Sequence, residues 1–321
     1  MSRIFDALQR AEASRPDSSG SGDAKATEVL KRVEDRFNLG NGALVREVAP
    51  DAGRNGSAPA GNAARFESKP RLVAMRADAE PIPEVFKRFP VLKGQPSPTS
   101  KLVTVTQRES ASAEAFRLLA TRLNDSRQAR PMKRVLVTSG IPQEGKSLMA
   151  ANLACALSKS DHPRVLLIEG DLRRPALSAL FEVPTGNGIA EFVEDKCPLE
   201  ECIYFIRSAG VWLLPAGRAS SNPQALMKSE SLASLVAQAS AWFDWVVIDS
   251  PPMLPLADTS IWMRVAEGIL LTVRQGKTEK KALKSCIEAL DQEKVIGVIL
   301  NSAKIPDHSD YYYQPSEPES D

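Results

Sequence analysis

The chain has 321 residues, 43% hydrophobic and 25% charged, and its 41 basic and 40 acidic side chains leave a formal net charge of +1. That balance suits a soluble protein of one or two domains and excludes a globally basic nucleic-acid binder, so no nucleic acid is expected as a partner. No apolar run reaches the roughly 18 residues of a membrane-spanning helix, the opening MSRIFDALQRAE lacks an apolar signal core, and Cys155, Cys197, Cys202 and Cys286 follow neither zinc nor CxxC spacing. A cytoplasmic chain with reduced, structural thiols is the expectation.

Residues 1–101 are expected to be mostly disordered, because from Ser14 to Lys101 they are rich in Ser, Gly, Pro, Ala and charge without sustained strand patterning. Two short helical stripes interrupt this region. One, near residues 2–14, follows a Ser2 cap and aligns Ile4, Leu8 and Ala11, and the other aligns Val29, Val33 and Phe37. From Leu102 the texture changes to apolar runs of strand length at 135–138, 165–168, 212–214, 245–248, 269–273 and 295–300, with helix-compatible stretches at 147–160, 232–242 and 278–290. Near-continuous apolar strands alternating with helices predict an α/β, doubly wound, mainly parallel sheet over 102–305. A flexible tail follows over 306–321.

Gly140-Ile-Pro-Gln143-Glu144-Gly145-Lys146-Ser147 fits GxxxxGK[ST], follows a strand and opens the helix SLMAANLACALS, which is the full context of a phosphate-binding loop, so Gly140, Gln143, Glu144, Gly145, Lys146, Ser147 and Leu148 are the expected nucleotide contacts. Backbone N–H groups and the helix N-terminus would cradle the phosphates of ATP, Lys146 would reach the β and γ phosphates, and the Ser147 hydroxyl would ligate Mg²⁺. Asp249, closing the strand of DWVVIDSPP, stands where a P-loop protein holds its metal; the alternative is an Asp capping the next loop. A second acidic strand end, RVLLIEGDLRRP, places Glu169 and Asp171 two residues apart, on one side of an extended chain, where both could face one metal ion or one attacking hydroxyl.

These segments resemble the bacterial tyrosine kinases of capsule and exopolysaccharide systems, over about residues 112–313. The nucleotide motifs look like SGIPQEGKS, LLIEGDLRRP and VVIDSPP, and LLPAG, NPQALMKS, VRQGKT and GVILN are further similar stretches. The resemblance implies that Asp171 is the base or organises metal, that Arg173 contacts phosphate or steadies its loop, and that Asn301 lies beside the adenine. It also implies a homo-oligomer phosphorylating itself in trans, with Glu114 and Arg117 at the contact, and a transmembrane chain-length-determinant-type activator that recruits the chain to the inner face of the membrane. The opening residues are similar to those of exosortase-associated tyrosine autokinases. Three positions depart from the family pattern: Glu169 replaces Asp, Ala120 stands at the third position of ExxRxxR, and Gln143 replaces Gly.

Tyr311, Tyr312 and Tyr313 are three of the chain's four tyrosines and sit together in the polar tail. They read as phosphoacceptors presented by a loose tether, or as an aromatic plug for another surface. His162 and His308 have no partner at ligand spacing, and Lys277, Lys280, Lys281 and Lys284 read as the exposed face of a helix. The expected function is therefore an ATP-dependent tyrosine autokinase. Its rivals are a nucleotide-switched partitioning or scaffold ATPase on the same fold and a nucleotide-sensing export regulator with little catalysis.

Overall fold

The computed structural model describes residues 84–97, 99–160, 163–218, 226, 230–254 and 258–302. The helix expected near residues 2–14, both histidines and Tyr311, Tyr312 and Tyr313 lie outside them. Eight strands form one sheet: β1 (Val91–Leu92), β2 (Arg134–Ser139), β3 (Val165–Glu169), β4 (Tyr204–Ile206), β5 (Val211–Leu214), β6 (Trp245–Asp249), β7 (Gly268–Arg274) and β8 (Val295–Asn301). Their order is β1-β4-β5-β3-β6-β2-β7-β8, and every ladder is parallel except β4–β5.

All six predicted strands occur, each longer by one or two residues. They read as apolar runs because both sheet faces are covered. In β3, Leu166 and Ile168 enter one core layer while Val165 and Leu167 enter the other, and β6 divides Val246 and Ile248 from Trp245 and Val247 in the same way. All these side chains are buried, each stabilising the fold by about 1.5–3 kcal/mol. The expectation of a doubly wound, mainly parallel sheet therefore holds.

Five longer helices accompany the sheet: α1 (Ala111–Ala129), α2 (Lys146–Leu157), α3 (Glu230–Trp242), α4 (Asp258–Val265) and α5 (Lys280–Ala289). The Ser110 side chain caps α1 by accepting from Ala113 N at 3.2 Å. Its i, i+3, i+4 stripe of Ala113, Phe116, Ala120 and Leu123 is buried. Glu114 and Arg117 lie on its exposed side and pair with each other within the helix, while Ala120 belongs to the core and leaves no exposed third position. None of the helices among the described residues is long and apolar enough to cross a membrane.

The packed unit begins upstream of the expected boundary at residue 102. A 3₁₀ turn over Glu84–Lys87 and β1 lie along the sheet edge, where Phe86 packs edge-on against Phe89, Trp212 and Phe243 at 5.1, 5.3 and 5.4 Å between ring centroids. Phe89 is buried, and Phe205 N donates to Pro90 O at 2.8 Å. Polar, proline-bearing composition concealed this strap because two phenylalanines carry its anchoring, too few to show as periodicity.

Candidate active site

The sheet brings three loops together at the carboxyl ends of β2, β3 and β6, the position at which open α/β sheets bind ligands. After β2 the chain turns through residues 140–145 into α2. Gly145 is left-handed at φ 95°, which favours glycine, and a Cβ there would come within 2.3 Å of the Asn301 Nδ2 that braces the loop. The loop's start is tied to the segment after β6, with Met253 N donating to Ser139 O at 2.8 Å and Leu254 N to Gly140 O at 3.0 Å. Gly140 also has the Cys286 side chain at 3.5 Å from where a Cβ would sit.

Glu144, expected as a nucleotide contact, turns its carboxylate into the protein. It accepts from Ile141 N at 2.9 Å and from the Thr278 hydroxyl, so its side chain braces the base of the loop. Leu148 packs into the core beneath α2. Asn301, at the end of β8, donates from Nδ2 to Glu144 O at 2.8 Å and so props the loop's shoulder.

Lys146 reaches into the site. Its Nζ stands 2.9 Å from Asp171 Oδ2, 3.2 Å from Ser147 Oγ and 3.7 Å from Asp249 Oδ1, with the side chain only 11% exposed. Asp249 is fully buried, and neither carboxylate oxygen has a hydrogen-bond partner. Burial pushes its carboxyl up to about 7, and the Lys146 ammonium only partly opposes this. A buried carboxylate with idle oxygens, a second carboxylate and a hydroxyl beside one ammonium suit a divalent cation and a polyphosphate. Among the described residues no three His, Cys, Asp or Glu side chains cluster as a metal cage. That donor set fits Mg²⁺, which is commonly held by one or two carboxylates plus substrate phosphates.

Glu169 does not join this set, contrary to the expectation that it would ligate metal beside Asp171. Its buried carboxylate accepts from Leu177 N at 2.5 Å, Ser178 N at 3.0 Å, Ala216 N at 3.0 Å and the Ser178 hydroxyl. The alternation argument assumed extended chain through residue 171, but β3 ends at Glu169 and the chain turns soon after, at Leu172 and Arg173. A Cβ on Gly170 would lie 2.6 Å from Asp249 O and 2.7 Å from the Trp262 ring. That bare backbone lets the turn press against β6 and sends Asp171 toward Lys146 while Glu169 faces the other way.

The turn is held by groups the motifs did not reveal. Trp262 Nε1 donates to Gly170 O at 3.0 Å, and Arg173 Nε donates to Asp258 Oδ2 at 2.6 Å, so Arg173 rests on α4 and steadies its loop. The Asp258 carboxylate raises the Arg173 guanidinium above its ordinary range. Asp171 Oδ1 accepts from Arg174 N at 3.1 Å, closing the turn. Trp262 and Asp258 carry no sequence signal beyond an amphipathic run after the PP dipeptide, whereas Lys146, Ser147, Asp171 and Asp249 were all legible.

No protein-family model matches the chain. It is 34% identical over 214 residues to the tyrosine-protein kinase YwqD of Bacillus subtilis, covering 66% of this chain and 90% of that one. It is 30% identical over 214 residues to the succinoglycan biosynthesis transport protein ExoP of Rhizobium meliloti, covering 65% of this chain but only 27% of that protein. The solved kinase domain of the Escherichia coli tyrosine kinase ETK superposes with a TM-score of 0.59 at 25% identity, over 67% of this chain and 84% of that one. A P-loop with Lys146 facing two strand-end aspartates, on a sheet shared with tyrosine kinase domains, places the chain in the bacterial tyrosine kinase family.

Proposed function

We propose that this kinase transfers the γ-phosphoryl group of Mg-ATP to Tyr311, Tyr312 and Tyr313 of another copy of itself. The observation that carries the reading is the buried Asp249 carboxylate, which accepts no hydrogen bond and shares the Lys146 ammonium with Asp171. Ser147 and Asp249 would hold Mg²⁺, with Asp171 beside it, and the ion when bound neutralises charge along the β and γ phosphates. Lys146 would exchange Asp171 for phosphate oxygens as its partner. Asp171, freed on one oxygen, would take the phenolic proton as the tyrosine oxygen bonds to the γ phosphorus and the bond to the ADP oxygen breaks. The loop amides of residues 143–147 would cradle the phosphates, with Gly140 and Gly145 giving the backbone its approach and Asn301 at the shoulder.

The resemblance and the ExoP relation support a place in exopolysaccharide or capsule production. A transmembrane chain-length-determinant-type activator would bring the chain to the inner face of the membrane, and Glu114 and Arg117 would serve the contact between copies. Intact mass after incubation with Mg-ATP tests the catalytic reading: one to three added phosphates are expected, lost with Lys146→Met or with all three tyrosines changed to Phe. No mass gain, with nucleotide bound and hydrolysed, would instead favour the partitioning or scaffold ATPase.

A further inference from the structure

Gln143 is a non-glycine residue inside the phosphate loop with φ 65°, in the left-handed region that a Cβ disfavours. Something outside the loop must hold it there. Lys277 Nζ donates to Gln143 Oε1 at 2.8 Å, and Arg274 Nη1 donates to Gln143 O at 3.3 Å. Arg274 closes β7 and Lys277 lies in the turn before α5, so Lys277 is exposed as its charge pattern suggested but does not sit on the helix face.

That turn is itself anchored. Gln275 N donates to Asn301 O at 3.0 Å, Lys277 N and Thr278 N donate to Arg274 O at 3.2 and 3.1 Å, and Gly276 supplies a left-handed position at φ 76°. Arg274 N donates to Thr278 Oγ1 at 3.0 Å, and the same hydroxyl donates to the Glu144 carboxylate. With Asn301 Nδ2 on Glu144 O, the carbonyls of residues 143 and 144 are both drawn outward. In a loop of this kind, carbonyls drawn to the outside turn N–H groups toward the bound anion.

We propose that Arg274 and Lys277 form a basic clasp that holds Gln143 left-handed and so presets the phosphate loop, making both of them positioning residues for phosphoryl transfer. The clasp substitutes for the freedom that a glycine would have at this position. The proposal rests on the nucleotide reading given above. A plain electrostatic role predicts something different: a cation near the site attracts phosphate whatever residue stands at 143.

A double-mutant cycle read by calorimetric titration of the full chain with Mg-ADP separates the two roles. Lys277→Met is expected to weaken Mg-ADP about tenfold in the native chain and less than about twofold in a chain carrying Gln143→Gly, with Lys277→Arg restoring affinity. The melting temperature of the nucleotide-free Lys277→Met chain should stay close to native. Equal weakening in both backgrounds would assign Lys277 to direct attraction of the nucleotide and overturn the clasp. So would no weakening, or weakening matched by a lower nucleotide-free melting temperature. A native chain that does not bind Mg-ADP would instead overturn the nucleotide reading, and the clasp's function with it.

Discussion

Glu169 and Asp249 end adjacent parallel strands, lie opposite each other in register and are both fully buried. One carboxylate accepts four hydrogen bonds from the protein, while the other accepts none and has only the Lys146 ammonium 3.7 Å from one oxygen. Burying an ionised carboxylate is costly, and Glu169 recovers that cost inside the fold by tying the end of β3 to the segment after it and to the end of β5. Asp249 does not, and the missing partners are what a metal ion and its phosphates would supply. Burial alone therefore does not distinguish the two acids; the hydrogen bonds their oxygens accept do.

The comparison can be broken at either end. The largest effect is expected for Asp249→Asn, which should lower autophosphorylation about 10³-fold as measured by the rate of intact-mass gain, because the site loses charge where phosphoryl transfer needs it. Activity within a few-fold of native would return Asp249 to a loop-capping role. Glu169→Ala should instead cost the nucleotide-free fold about 3 kcal/mol or more in denaturant unfolding, by leaving buried donors without an acceptor. Glu169→Gln, which keeps one acceptor oxygen, should cost less and retain phosphorylation within about threefold once corrected for the folded fraction. Loss of activity in a fully folded Glu169→Gln chain would return Glu169 to the catalytic set.

The most gradual effect lies in the pH dependence of stability. The Asp249 carboxyl is raised to about 7 in the fold, whereas the unfolded chain releases that proton near the ordinary carboxyl value of about 4. Between those values the folded state holds the extra proton, so its stability falls as pH rises through the window and levels off above 7. The native nucleotide-free chain should lose up to about 1.4 kcal/mol per pH unit relative to Asp249→Asn there, read as the difference between their unfolding curves. Parallel curves for the two chains would show that Asp249 is ionised throughout.

Much of the site was legible because the P-loop is a local device: strand, glycine turn and helix are contiguous, so spacing alone identifies Lys146 and Ser147. Asp171 and Asp249 followed from their places at strand ends. Glu169 was misread because its direction depends on where β3 stops and on donors 8, 9 and 47 residues away along the chain. Residues 84–92 were misread for a related reason. Phe86 and Phe89 stand among polar residues, and their partners Trp212, Trp242 and Phe243 come from far downstream.

The amino-acid sequence by itself determined the class of fold, the six central strands and the place of the glycine loop between β2 and α2. Each is written in contiguous residues whose periodicity or spacing is local. Only the tertiary structure decided which buried acid has its oxygens satisfied by the fold, how Arg173 is held by Asp258, and that Gln143 meets Lys277 from more than a hundred residues away. Hydrogen-bond partners across a sheet are chosen by register and by the direction in which a backbone turns, and neither is carried by the identity of the residues alone.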